Sequence, residues 1–113
     1  MTAILASVIL LAATALPVRV TLNDLVGMWI TVDGGCGAGG QHRMTANGEY
    51  TGWCFDSISE GKWSLRSGNK IVIRPDPKKK AEEIITILRF EPQSDRTFLY
   101  VRYDDGSREK WMK

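Results

Sequence analysis

Gln41-His42-Arg43-Met44-Thr45-Ala46-Asn47-Gly48-Glu49-Tyr50-Thr51-Gly52-Trp53-Cys54-Phe55 is the stretch that decides how this chain folds. Two runs of strand-forming residues meet at Asn47-Gly48, a pair that supplies the positive φ angles a two-residue type I′ hairpin turn requires. The stretch therefore predicts antiparallel strands over 41–46 and 49–55. A two-residue loop sets Thr45 opposite Tyr50, Met44 opposite Thr51, His42 opposite Trp53 and Gln41 opposite Cys54. His42, Met44 and Trp53 then share one face.

The same punctuation recurs along the chain. After a polar connecting turn at 56–60, Gly61-Lys62-Trp63-Ser64-Leu65-Arg66 alternates cleanly, with Trp63 and Leu65 facing in. A three-residue loop, Ser67-Gly68-Asn69, pairs Leu65 with Ile71 and Trp63 with Ile73 and leaves Lys62, Arg66, Lys70 and Arg74 to water. A two-residue loop would mix those sets, so parity selects three, with Asn69 suited to the left-handed position. The β-branched run Ile84-Ile85-Thr86-Ile87-Leu88 marks a strand over 83–90, apolar on both faces. Strands over 97–103 and 107–112 then flank Asp105-Gly106. A two-residue turn there pairs Arg102 with Glu109 and Tyr100 with Trp111 on one face, and Leu99 with Met112 on the other.

Upstream, residues 22–26 form a short helical turn, capped by Thr21 or Asn23 and ended by Gly27, before a first strand over 27–32. Eight strands joined by sequential hairpins give an all-β, antiparallel up-and-down meander. Closure into a small barrel removes the two free edges such a meander leaves. The expected core is Trp29, Trp63, Leu65, Ile71, Ile73, Leu99, Val101 and Met112.

Residues 1–15 carry no charged side chain, and the apolar run Ile4-Leu5-Ala6-Ser7-Val8-Ile9-Leu10-Leu11-Ala12 precedes Ala13-Thr14-Ala15. This is the pattern of a secretory signal peptide cleaved after Ala15, leaving one domain over 16–113. The run is shorter than the roughly 20 residues a spanning helix needs, so no stable membrane insertion is expected after cleavage. A periplasmic or secreted location follows. Cys36 and Cys54 are the two cysteines, an even count in a chain bound for an oxidising compartment, and a disulfide between them is expected. It closes a loop of about 18 residues, worth about 3 kcal/mol in the chain-entropy description.

The formal net charge of +2 implies no nucleic-acid partner. Lys78-Lys79-Lys80 reads as a solvated loop balanced by Glu82-Glu83. The glycine-rich stretch 34–40 lacks the Lys-Ser or Lys-Thr and the following helix of a phosphate loop, and reads as a loop across one barrel end. The two cysteines and the lone His42 lack the spacing of a metal site, and no cofactor is expected. His42 has no recognisable nucleophile beside it. Asp56, Glu60, Asp104 and Asp105 sit at turns, where bonding to local amides explains them. No catalysis is expected. The aromatic set Trp53, Trp63, Tyr100 and Trp111 could line a cavity for a small apolar ligand, and an extracytoplasmic protein is the other partner considered.

Gly27-x-Trp29 on the first strand, with Arg108 and Lys110 beside Trp111 on the last, resembles the lipocalin-like (calycin) barrels. In those families the Gly-x-Trp packs beneath a basic side chain from the final strand and closes the barrel bottom. The resemblance implies that Gly27 and Trp29 pair with Arg108 or Lys110 in a ligand-binding barrel. The layout is also similar to that of small periplasmic inhibitors of bacterial metalloproteases, disulfide-bearing eight-stranded barrels that follow a signal peptide. That likeness implies an inhibitory N-terminal arm at Leu16, Pro17 and Val18.

Overall fold

The computed structural model describes residues 18–34, 39–75 and 81–113. Eight strands follow one another around a closed antiparallel barrel: β1 (Gly27–Gly34), β2 (Gln41–Met44), β3 (Glu49–Cys54), β4 (Ser57–Arg66), β5 (Lys70–Pro75), β6 (Glu83–Pro92), β7 (Thr97–Tyr103) and β8 (Arg108–Met112). β8 returns to pair with β1, so every strand is paired on both sides along part of its length. The expected up-and-down architecture is the one observed.

Turn lengths decide which side chains enter the barrel. The loop at 67–69 has three residues, as parity requires, and places Trp63 opposite Ile73 and Leu65 opposite Ile71. Its left-handed residues are Ser67 (φ 59°) and Gly68 (φ 74°), however, not Asn69. The two Asx-Gly hairpins are each one residue longer than expected. Thr45 N–H donates to Glu49 O and Gly48 N–H to Thr45 O, with Gly48 at φ 90°. Likewise Tyr103 N–H donates to Ser107 O and Gly106 N–H to Tyr103 O, with Gly106 at φ 88°. Both are three-residue loops that end on a left-handed glycine, a common alternative to the type I′ turn.

One extra residue reverses the parity of each register. Met44 faces Tyr50 and His42 faces Gly52, while Trp53 lies opposite Gln41 on the outer surface. Trp53 therefore does not share a face with His42. At the last hairpin Leu99 faces Trp111, Val101 faces Glu109 and Arg102 faces Arg108. Met112 is consequently half-buried outside the barrel rather than in its core, and Glu109 points in. A further departure is at 56–60: these residues are not a connecting turn. Phe55 and Asp56 make a tight turn, and β4 starts at Ser57, paired with Cys54.

Val20, Leu25, Trp29, Met44, Tyr50, Trp63, Ile71, Ile73, Ile85, Ile87, Leu99, Val101 and Trp111 form one buried cluster, with Leu65 packed against it. One barrel end is sealed. Helix α1 (Leu22–Leu25) starts with a reciprocal capping box, Thr21 with Asp24, and drops the fully buried Leu25 into the barrel. The Trp29 indole N–H donates to Leu25 O at 2.8 Å. The Lys113 ammonium donates to Asp24 O at 2.8 Å and Val26 O at 2.7 Å, and lies 4.8 Å from the Trp29 ring centroid. Burial lowers the Lys113 pKa, with Asp24 opposing. Gly27, at φ 137°, leaves room for this lysine: a Cβ there would stand 3.3 Å from Lys113 Cδ.

The cation over Trp29 is thus Lys113, just beyond β8, and neither of the residues expected there. Arg108 is exposed beside Arg102, and Lys110 lies on the outer wall, 4.6 Å from the Phe98 ring centroid.

Candidate functional site

At the opposite end of the barrel, the described residues surround a cleft of about 510 Å³ between the β3–β4 hairpin and the ends of β6, β7 and β8. Its inner wall is polar because three strands each present one polar side chain to it: His42 from β2, Tyr50 from β3 and Glu109 from β8, joined by Tyr103 from β7.

These groups form a single hydrogen-bonded network. The Glu109 Oε1 accepts the Trp111 indole N–H at 2.7 Å and the Tyr103 hydroxyl at 2.8 Å, and lies 3.4 Å from His42 Nε2. His42 Nε2 is also 3.2 Å from Thr31 Oγ1, and its Nδ1 is 2.9 Å from the Tyr50 hydroxyl. Trp111 stacks on the imidazole from behind, with ring centroids 4.0 Å apart and planes 18° from parallel. His42 and Glu109 are each 8 % exposed, so the pair is buried yet borders the cleft. Among the described residues no buried side-chain nitrogen or oxygen lacks a partner. The wall is pre-organised rather than strained.

Electrostatics follow from that geometry. Burial works to raise the Glu109 carboxyl, but the hydrogen bonds from His42, Trp111 and Tyr103, with the His42 charge, bring it down to about 2. Glu109 is therefore a fixed anion. Burial pushes the Tyr50 phenol up, helped by the charges of Glu83 and Glu109. Tyr103 moves the same way, through burial and then through Glu109. Both phenols stay protonated and act as hydrogen-bonding groups.

Gly52 is needed for this arrangement. A Cβ at that position would run into the Tyr50 hydroxyl, so the missing side chain is what lets the phenol lie across β3 toward His42. At the rim, Glu82, Glu83, Asp104 and Asp105 line the cleft, and the described lining includes no lysine or arginine. Glu82 pairs with Arg66 at 3.3 Å and Arg74 at 3.2 Å, and Asp105 accepts from Ser107.

Of the aromatic residues expected to bind a ligand, only Trp53 borders this cleft, along with Cys54. Trp111 backs the wall without reaching its surface. Trp63 is a core residue whose indole N–H donates to Thr45 O at 2.9 Å. Tyr100 is on the outer wall, with Arg89 and Lys110 each 5.3 Å from its ring centroid. Glu109, Tyr50 and Tyr103 were not among the residues expected to bind. Of the proposed disulfide, Cys36 lies outside the described residues, as do Leu16 and Pro17 of the proposed arm. Val18 is half-buried against the core, and Val20 N–H donates to Gly68 O at 2.7 Å, so the chain is tied to the barrel from Val18 onward.

Among the described residues no group of His, Cys, Asp and Glu is placed to hold a metal ion. No family model, curated protein or solved structure matches the chain.

Proposed function

We propose that the chain is an exported, non-catalytic, lipocalin-like binding barrel that takes a small ligand in the cleft at the end opposite α1, led by a cationic, hydrogen-bond-donating group. The observation that carries this reading is the asymmetry of the barrel. One end is sealed by α1, Trp29 and Lys113, while the other leads to a cleft with a prearranged polar wall. Small-molecule sites combine a concave surface with a few convergent polar groups in this way. The rim carboxylates and the fixed Glu109 anion favour a positive head, and the Tyr50 and Tyr103 rings suit its apolar flank.

Binding rather than catalysis is favoured because each candidate reactive group is already engaged. Glu109 is held ionised by its donors and is a poor base, and both phenols are held protonated and are poor nucleophiles. The apolar leader and the two cysteines support export.

Phenethylamine, phenylacetate and ethylbenzene share a ring and differ in charge, and so test the ligand chemistry directly. Trp111, stacked on His42, reports occupancy through tryptophan emission. Phenethylamine should give a saturable emission change that Tyr50→Phe weakens. Equal or stronger binding of ethylbenzene or phenylacetate would refute the cationic reading. No response to any of the three, with the barrel folded, would count against the cleft as a small-molecule site.

A further inference from the structure

An ionised carboxylate can only accept hydrogen bonds, so Glu109 dictates where the protons of the cleft's inner wall point. Trp111 and Tyr103 both donate to its Oε1, at 2.7 Å and 2.8 Å. His42 Nε2 lies 3.4 Å from the same oxygen. A bare nitrogen lone pair there would face an anion, so the neutral imidazole carries its proton on Nε2 and leaves Nδ1 as an acceptor. Thr31 Oγ1, 3.2 Å from Nε2, is a second acceptor for that proton. The Tyr50 hydroxyl, 2.9 Å from Nδ1, then donates to it.

This assignment gives the wall a definite character. The hydroxyl protons of Tyr50 and Tyr103 are both turned inward, and each phenolic oxygen keeps lone pairs for a further partner. Tyr50 lines the cleft, and its hydroxyl lies over Gly52, which lines it as well. Among the described residues that hydroxyl is bonded to His42 alone. A ligand meeting Tyr50 therefore has to bring the proton. An ammonium that retains N–H bonds does so, whereas a quaternary ammonium of the same charge does not.

One added proton reverses this. An imidazolium donates from both nitrogens. Its Nδ1–H takes the Tyr50 lone pair, and the phenol, which burial keeps protonated, has to turn its own O–H out toward the cleft. The same proton sets a positive charge beside Glu109 and offsets the anion that draws a cationic head. The titratable groups facing His42 are Tyr50 from β3, Tyr103 from β7 and Glu109 from β8; from β1 it meets Thr31 and Trp29, which do not titrate. Glu83 of β6 acts on both phenols through its charge, and Glu82, Asp104 and Asp105 stand at the rim. With Glu109 held ionised and both phenols held protonated, none of the three facing groups changes charge between about pH 5 and 8, the range in which imidazoles ordinarily titrate.

We propose that Tyr50 selects the ligand of this cleft and that His42 sets the selection: with the imidazole neutral the cleft takes an N–H cation in preference to a quaternary one, and a proton on His42 releases it. The inference rests on the cationic reading of the cleft and adds its regulation.

The ligand-free protein tests the proton positions. With His42 neutral, its imidazole nitrogen shifts should place the proton on Nε2; a proton on Nδ1 would overturn the proposal whatever the cleft binds. Phenethylamine, which stays protonated throughout this range, should bind about tenfold or more tighter than trimethyl(phenethyl)ammonium, the scale of a charged hydrogen bond. Tyr50→Phe should weaken the first and spare the second, which separates a lost acceptor from the bulk of the methyl groups. Below the His42 midpoint the affinity for phenethylamine should fall, approaching about tenfold per pH unit for a ligand that binds only the neutral imidazole. By reciprocity, saturating phenethylamine should move the NMR titration of His42 to lower pH. That shift is read on the wild type and stands even if Tyr50→Phe fails to fold. Phenethylamine that binds equally on both sides of the His42 titration, or no more tightly than the quaternary cation, would overturn the proposal and leave the cationic reading in place. No response to either cation would sink both.

Discussion

The Glu109 carboxylate accepts the indole N–H of Trp111 at 2.7 Å, two residues along the same strand and on the same inner face. This contact joins the two halves of the interior. Toward the sealed end, Trp111 packs with Trp29 and Leu99 in an apolar core. Toward the cleft, Glu109 gathers Tyr103 and His42 into the wall. Burying a carboxylate is costly unless it is hydrogen-bonded, and the indole that anchors it is itself a core ring. The cleft wall is thereby coupled to the packing beneath it.

Stability should therefore depend on pH through Glu109. Its folded value, about 2, lies below the ordinary 4.5. A depressed carboxyl stabilises the fold fully above its unfolded value and loses that contribution as pH falls through the folded value. The melting-temperature advantage of the wild type over Glu109→Gln should shrink as pH falls from about 4.5 to about 2. A difference that does not change over that window would show that the carboxylate charge is not what the wall stabilises.

Trp63 anchors the wall formed by β4 and β5. It is 6 % exposed, faces Ile73, and donates its indole N–H to Thr45 O across the barrel end. Trp63→Ala removes the ring and leaves that carbonyl without its donor. Chemical denaturation should show a loss of about 3–5 kcal/mol, the range for a fully buried large aromatic. A loss below about 1 kcal/mol would place the ring at the surface.

How much of this was legible depends on turn length. At Ser67-Gly68-Asn69 the apolar residues on both strands are so regular that only one loop length keeps them together, and the register was recoverable. Beside Asn47-Gly48 and Asp105-Gly106 the dipeptide itself points to two residues, whereas the observed loops have three. In the last hairpin a two-residue loop sets Lys110 opposite Val101, a buried ammonium with no partner. The observed loop buries Trp111 at the expense of Glu109. That comparison would have exposed the site, but a buried glutamate looks wrong until its three donors from β2, β7 and β8 are known. Lys113 was missed for a related reason. Its role depends on α1 folding back against a strand 87 residues away in sequence, a contact no local pattern contains.

The proposed export makes a covalent prediction. The intact mass of protein recovered from an oxidising compartment should match a chain beginning at Leu16 and lacking two hydrogens, from a Cys36–Cys54 bond. Reduction should lower stability by about 3 kcal/mol through the loop it opens. Retention of Met1, or alkylation of both thiols without prior reduction, would contradict export and the bond respectively.

Gly52 and Tyr50 allow the cleft wall to be tested without touching its charges. The Tyr50 hydroxyl reaches His42 Nδ1 at 2.9 Å by crossing the bare backbone at Gly52, where an added methyl would collide with it. Gly52→Ala should push the phenol off the imidazole and cost about 1–2 kcal/mol, the scale of a buried hydrogen bond left unmade. Tyr50→Phe removes the same bond while keeping the ring. It also removes the atom that meets the methyl most closely. The two substitutions should therefore be non-additive: in the Tyr50→Phe background Gly52→Ala should cost clearly less than in the wild type. Imidazole NMR shifts of His42, the sole histidine, provide a second readout, and each single variant should move them in the same direction. Additive losses, or His42 resonances unmoved by Gly52→Ala, would show that Gly52 serves only the bend of β3 and does not position the phenol.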